Sequence, residues 1–228
     1  MSKTLSDYEV YLLAQGMRPG TVKVYARWLA KIRRSRQSPR AWMKAHHDAY
    51  SESTRRGIEQ ALLHFSQWSK VEPSTVFSDE EYQVLVETFD SYEQPYGLMF
   101  HISLHSAMPL KELCKVSVTD FERRRGHLGL LGRRVWFPVA QPGAERLRKY
   151  VAARKLKGRV FADPDNPAVA LNPGRARSHL ARLRRSLVDD GYRWAKDVTA
   201  TKLNRGYLSK LWLSGATLDE MLLAAGSE

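Results

Sequence analysis

Acidic residues are scarce beside basic ones in this chain: 24 Asp and Glu stand against 37 Lys and Arg, a formal net charge of +13. Such an excess favours polyanionic partners, and for a basic folded protein the usual polyanion is nucleic acid. Cysteine is almost absent. Cys114 stands alone, which excludes an intramolecular disulfide and a cysteine metal cluster and suggests a small buried residue. No apolar run approaches the length of a membrane span, and the first residues lead into no signal-peptide core. A cytoplasmic, nucleoid-associated protein without membrane contact is therefore expected. There is no glycine-rich phosphate loop and no Ser/His/Asp order in a catalytic context. His101 and His105 have the spacing of zinc ligands, but no third ligand or carboxylate accompanies them, and they read as packed histidines. No metal and no cofactor are expected.

What is present describes a folded protein. The 228 residues are 43% hydrophobic and include six tryptophans, enough for one large domain or two small ones. Residues 1 to about 70 read as four short helices. Ser6 to Glu9 forms a capping-box pattern before the first, and Gly16 closes it. Thr21 caps the second, whose Val22, Tyr25, Leu29 and Ile32 share an apolar face. Opposite them Lys23, Arg27, Lys31 and Arg34 fall within about 80° of one another at 3.6 residues per turn. A third helix spans Pro39 to His47. A fourth spans Ser53 to Trp68 and carries Arg55 and Arg56 near its start.

Val71 to Phe77 reads as a linker, and Ser78 to Glu81 caps the next helix, which runs to about Asp90. An apolar helix follows from Tyr96 to His105. Strand character marks Ser117 to Thr119, His127 to Leu131 and Arg134 to Val139, with Arg133 and Arg134 near a turn where they could touch a phosphate. Ala144 to Lys155 is helical. The most basic helix covers Arg175 to Leu187, where Arg175, Arg177, Arg182, Arg184 and Arg185 surround a narrow stripe of Leu180, Leu183 and Leu187. At the end, Leu203, Tyr207 and Leu211 recur at helical spacing, Gly215 suits a left-handed cap, and Thr217 to Glu220 opens a last helix ended by Gly226.

This final layout resembles the C-terminal signature of the tyrosine recombinases, the phage-integrase family. Gly16-x-x-Pro19-x-Thr21-x-x-x-Tyr25, Thr54-Arg55-Arg56 followed by Phe65-x-x-Trp68, and Gly158-Arg159-Val160-Phe161 extend the resemblance over nearly the whole chain. It implies a mainly α fold with a small antiparallel β-sheet: a SAM-like helical core-binding, DNA-binding domain over 1–72 and a recombinase-like domain over 76–228, C-terminally shortened relative to the family. In the family the second and fourth helices press on a DNA major groove.

The family's catalytic positions are the ones that do not match. Its first arginine falls on Pro109, its first histidine on Thr201, its second arginine on Asn204 and its second histidine on Ser227. No lysine lies between Lys115 and Lys149, where the family carries one, and the family's nucleophilic tyrosine would fall past Glu228. A one-residue slip would bring Lys202 and Arg205 to two of these positions, while displacing Leu203, Tyr207 and Gly215. Tyr207 itself matches an apolar packing residue. The resemblance thus implies a catalytically empty recombinase frame that binds double-stranded DNA, as a transcriptional regulator or an accessory factor of a mobile element. Two other readings stay open: a split or truncated recombinase whose tyrosine comes from another chain, and a decoy subunit that partners an active recombinase or another DNA-bound protein. A monomer is expected in solution.

Overall fold

The computed structural model describes residues 4–68, 76–124, 127–132, 135–163 and 165–226. The chain begins with α1 (Leu5–Ala14), α2 (Pro19–Arg34), α3 (Pro39–Ala45) and α4 (Glu52–Trp68). The capping box of α1 forms two residues earlier than the sequence suggests. Thr4 Oγ1 accepts the Asp7 N–H at 3.2 Å, and the Asp7 carboxylate accepts the Thr4 N–H at 2.6 Å. This pair has the same spacing as Ser6 and Glu9, and it lets Leu5 join the core. Similarly α2 starts at Pro19 rather than after Thr21, because proline's fixed φ and missing N–H suit the first helical position. Ser38 caps α3 through the Ala41 N–H at 3.2 Å. That helix ends at Ala45, and a single 3₁₀ turn over His47–Ala49 follows.

The second part opens with α5 (Asp79–Ser91), started by the expected Ser78–Glu81 capping box, and α6 (Tyr96–His105). Every residue of α6 is buried, Cys114 lies fully buried nearby, and the main core is built around them. A short α7 (Leu110–Leu113) leads to the sheet of β1 (Phe121–Arg124), β2 (His127–Leu131) and β3 (Trp136–Pro138). These strands are antiparallel in the order β1-β2-β3, with Leu130 opposite both Phe121 and Phe137. Ser117 to Thr119 does not form the expected strand. Ser117 Oγ and its N–H both donate to Asp120, closing a 3₁₀ turn, and such local side-chain bonds compete with strand pairing.

Next come α8 (Gln141–Ala153), a hairpin of β4 (Ala162–Asp163) and β5 (Asn166–Ala170), and α9 (Pro173–Asp189). The hairpin was not legible in the sequence. α8 starts three residues before Ala144, with Pro142 in its first turn and Gly143 against α6. A Cβ on Gly143 would lie 2.8 Å from that of His105, so this crossing requires glycine. The chain closes with α10 (Ala200–Leu213) and α11 (Leu218–Ala224), joined as expected through Gly215 (φ +83°) and the Thr217–Glu220 box.

A second core crosses from the first part to the last. Tyr8, Leu12, Leu13 and Ala14 of α1 pack in one cluster with Val22, Leu29 and Trp68 of the bundle and with Leu208, Met221 and Ala224 of α10 and α11. Ring contacts join Tyr11 to Trp212 at 5.8 Å and Tyr8 to Trp68 at 5.5 Å. Most of the 71–77 linker lies outside the described residues.

The two histidines of α6 are held by hydrogen bonds. His101 Nε2 meets Asp90 Oδ1 at 2.7 Å; His105 contacts the His101 carbonyl at 2.8 Å and the Tyr82 hydroxyl at 2.7 Å. Arg146 grips Asp90 through Nε at 2.8 Å and a second nitrogen at 2.6 Å, holding that carboxyl below its usual range. Burial, reinforced by the Arg146 charge, pushes the His101 imidazole down to about 4 against the pull of Asp90. Folded His101 therefore stays neutral where unfolded His101 takes up a proton. Stability present at pH 7 is lost as pH falls through 6.5 towards 4, at about 1.4 kcal/mol per unit from this group. Urea unfolding at pH 7 and pH 5 should show lower stability at pH 5, with a flatter dependence in His101→Gln. Greater stability at pH 5 would contradict this assignment.

Candidate nucleic-acid interface

Where the bundle meets the second part, a cleft of about 610 Å³ opens between the α1–α2 turn, α7, the start of α9 and one face of α10. Pro109, Thr201 and Asn204 all line it, and Gly226 closes its end. Ser227, the remaining expected position, lies outside the described residues. Three of the four positions singled out by resemblance, distant in sequence, thus converge in space.

None of the three side chains carries a charge. Pro109 sits in an extended conformation at the N-terminus of α7 and presents no donor. Thr201 is exposed on the first turn of α10. Asn204 Nδ2 donates to the carbonyls of Ser106 at 2.7 Å and of Ser103 and Met108 at 3.2 Å. That amide ties α10 to the α6–α7 turn and has no hydrogen left for a ligand. Gly226 needs its positive φ of +79°, and a Cβ there would collide with Phe137.

The cleft is nonetheless cationic. Arg18, Lys111, Arg177 and Arg205 line it, and no carboxylate does among the described residues. One nitrogen of Arg205 bonds Gln15 Oε1, while its stem lies against Gly16, where a Cβ would stand 2.7 Å away. Lys202 is turned off the cleft, with Nζ 5.3 Å from the centre of the Phe77 ring. The one-residue slip would therefore place only Arg205 in the cleft. Tyr207 packs in the shared core, and burial pushes its phenol up to about 12.

The other expected DNA contacts are distributed over several surfaces. Lys23, Arg27 and Arg34 are exposed on α2. Lys31 turns aside, donating to the Tyr50 hydroxyl at 2.7 Å and lying over the Trp28 ring. Arg55 donates to the His47 carbonyl at 3.0 Å, and Arg56 pairs with Glu52. Both line a separate groove with Arg40 and Lys44 at the start of α4. Arg177 faces the cleft, but Arg175 bonds Asp165 at 3.0 Å and Asp163 at 3.4 Å on another flank of α9. Arg182 lies near Tyr92 and His179 on that flank, and Arg185 is exposed. Arg133 and Arg134 lie outside the described residues. Arg18 and Lys111 were missed by sequence reasoning; their signals were a place next to Pro19 and two residues after Pro109.

No family model and no curated protein matches the chain. Solved structures do. The crystal structure of XerA recombinase superposes with a TM-score of 0.51 at 14% identity, over 98% of this chain and 89% of that one. That of XerH site-specific recombinase bound to difH substrate, a pre-cleavage complex, gives 0.50 at 15% identity, over 90% and 71%. The mostly helical chain with its small antiparallel sheet has the fold of the tyrosine recombinases.

Proposed function

We propose that this protein is a non-catalytic, sequence-specific binder of double-stranded DNA built on a recombinase fold, serving as a transcriptional regulator or an accessory factor of a mobile element. One observation supports the reading: the cleft gathers cations and is also lined by Pro109, Thr201 and Asn204, which stand where the resemblance puts phosphate-activating residues. Phosphodiester cleavage by this route needs a hydroxyl nucleophile and donors that stabilise the pentacoordinate phosphate. Loss of one such donor costs roughly two to three orders of magnitude in rate. Here the Asn204 amide is committed to three carbonyls, and no tyrosine lines the cleft among the described residues. Tyr207 is a poor substitute, half-buried outside this cleft and hard to ionise. The net charge of +13 and the exposed Lys23, Arg27 and Arg34 suit a duplex backbone.

The test is incubation with nicked duplexes that trap covalent intermediates, followed by denaturing electrophoresis, beside selection of bound sequences from a random duplex pool. The expected outcome is an enriched DNA sequence and no covalent protein–DNA band. A covalent band abolished by Tyr207→Phe would make the protein an enzyme.

A further inference from the structure

We infer that this cleft is a binding site for a small polyphosphate, a di- or triphosphate group, which bridges the two parts of the molecule and competes with duplex DNA for the same cations. The inference goes beyond the DNA reading, and begins from size. A space of about 610 Å³ falls within the roughly 300–1,000 Å³ of small-molecule sites.

Charge selects the ligand. Arg18, Lys111, Arg177 and Arg205 meet with no facing carboxylate among the described residues, whereas Arg56 and Arg175 elsewhere have acidic partners. The Nε–H of Arg205 is buried without a hydrogen-bond partner. Like charges gathered without a counter-charge repel one another, and a polyanion relieves that repulsion. Guanidinium forks match the oxygens of tetrahedral oxyanions in pairs, and a diphosphate presents two linked groups to cations on different elements where sulfate presents one.

The origin of the cations gives the ligand its second effect. Arg18 belongs to the α1–α2 turn, and the other three belong to α7, α9 and α10. A ligand touching both sets is held only while the parts are docked, so its binding stabilises that packing. A duplex whose phosphates use the same cations must then bind more weakly, and the duplex weakens the ligand by the same factor.

Inorganic pyrophosphate is the probe, with sulfate at matched ionic strength as control, measured by titration calorimetry on the full chain. Pyrophosphate is expected to bind at least tenfold more tightly than sulfate. Arg18→Ala and Arg177→Ala, both exposed positions, should each weaken it fivefold or more with unchanged thermal unfolding. Equal affinities for the two anions, or variants that bind like the parent, overturn the site. Duplex affinity should fall at least fivefold in saturating pyrophosphate relative to sulfate, and an unchanged affinity overturns the competition. Pyrophosphate binding without duplex binding at any salt would sink the DNA reading alone. Duplex binding without pyrophosphate binding would sink the polyphosphate site alone.

Discussion

Duplex affinity is expected to fall about a thousandfold or more between 50 and 200 mM salt. The slope reflects counterions released as cations neutralise DNA phosphates, and a footprint of roughly six to ten phosphates gives a loss of that size. The net charge of +13 supplies enough cations, but the structure divides them. Lys23, Arg27 and Arg34 stand exposed on α2, so replacing Lys23 and Arg27 with alanine should weaken all duplexes alike and lower the salt slope by about one for each. Arg175 already shares Asp163 and Asp165, and freeing it offsets part of what a phosphate contact would give. Arg175→Ala should therefore cost less affinity than Arg177→Ala. Fluorescence anisotropy with a labelled duplex across the salt range measures both effects. A flat salt dependence would rule out binding through the phosphate backbone.

Local signals were the ones the sequence carried well. The boxes at Ser78–Glu81 and Thr217–Glu220 need only residues three apart, and both form as read. The bounds of α6 follow from a largely apolar run after Pro95, interrupted only by His101 and Ser103 and ended by His105. Where two local patterns compete, the spacing alone is ambiguous, as at Thr4–Asp7 against Ser6–Glu9. The 117–119 segment shows the limit of propensity, since Val118 and Thr119 favour strands but Ser117 and Asp120 close a turn around them. The site was half legible. Resemblance picked out Pro109, Thr201 and Asn204, yet the three carbonyls that occupy Asn204 lie about a hundred residues away. Helical period placed Lys31 and Arg55 on basic faces, and only the tertiary structure shows the Tyr50 hydroxyl and the His47 carbonyl engaging them at the surface. One clue to the joined core was present. α1 is apolar on all sides from Tyr8 to Ala14 except at Glu9, which marks a helix covered from two directions.

That two-sided burial makes α1 the place where one substitution should reach the whole molecule. Leu12 is fully buried in the cluster that includes both Trp68 of the bundle and Leu208 and Met221 of the last two helices. Leu12→Ala removes buried methyl groups and leaves a cavity between elements held apart by their neighbours, a change that costs about 2–5 kcal/mol. Because α1 completes both sides, the loss should lower the stability of the bundle and of α10–α11 together, in a single transition. Urea unfolding followed at two probes checks this. Trp28 and Trp42 pack together in the bundle, while Trp194 packs on Phe77 in the second part. Single-tryptophan variants retaining Trp42 or Trp194 should give coincident midpoints, both shifted down by Leu12→Ala, with Ser6→Ala at an exposed position of α1 shifting neither by much. Two separate transitions, with only the Trp42 midpoint moved, would show that the parts fold independently and that the shared core contributes little to holding them together.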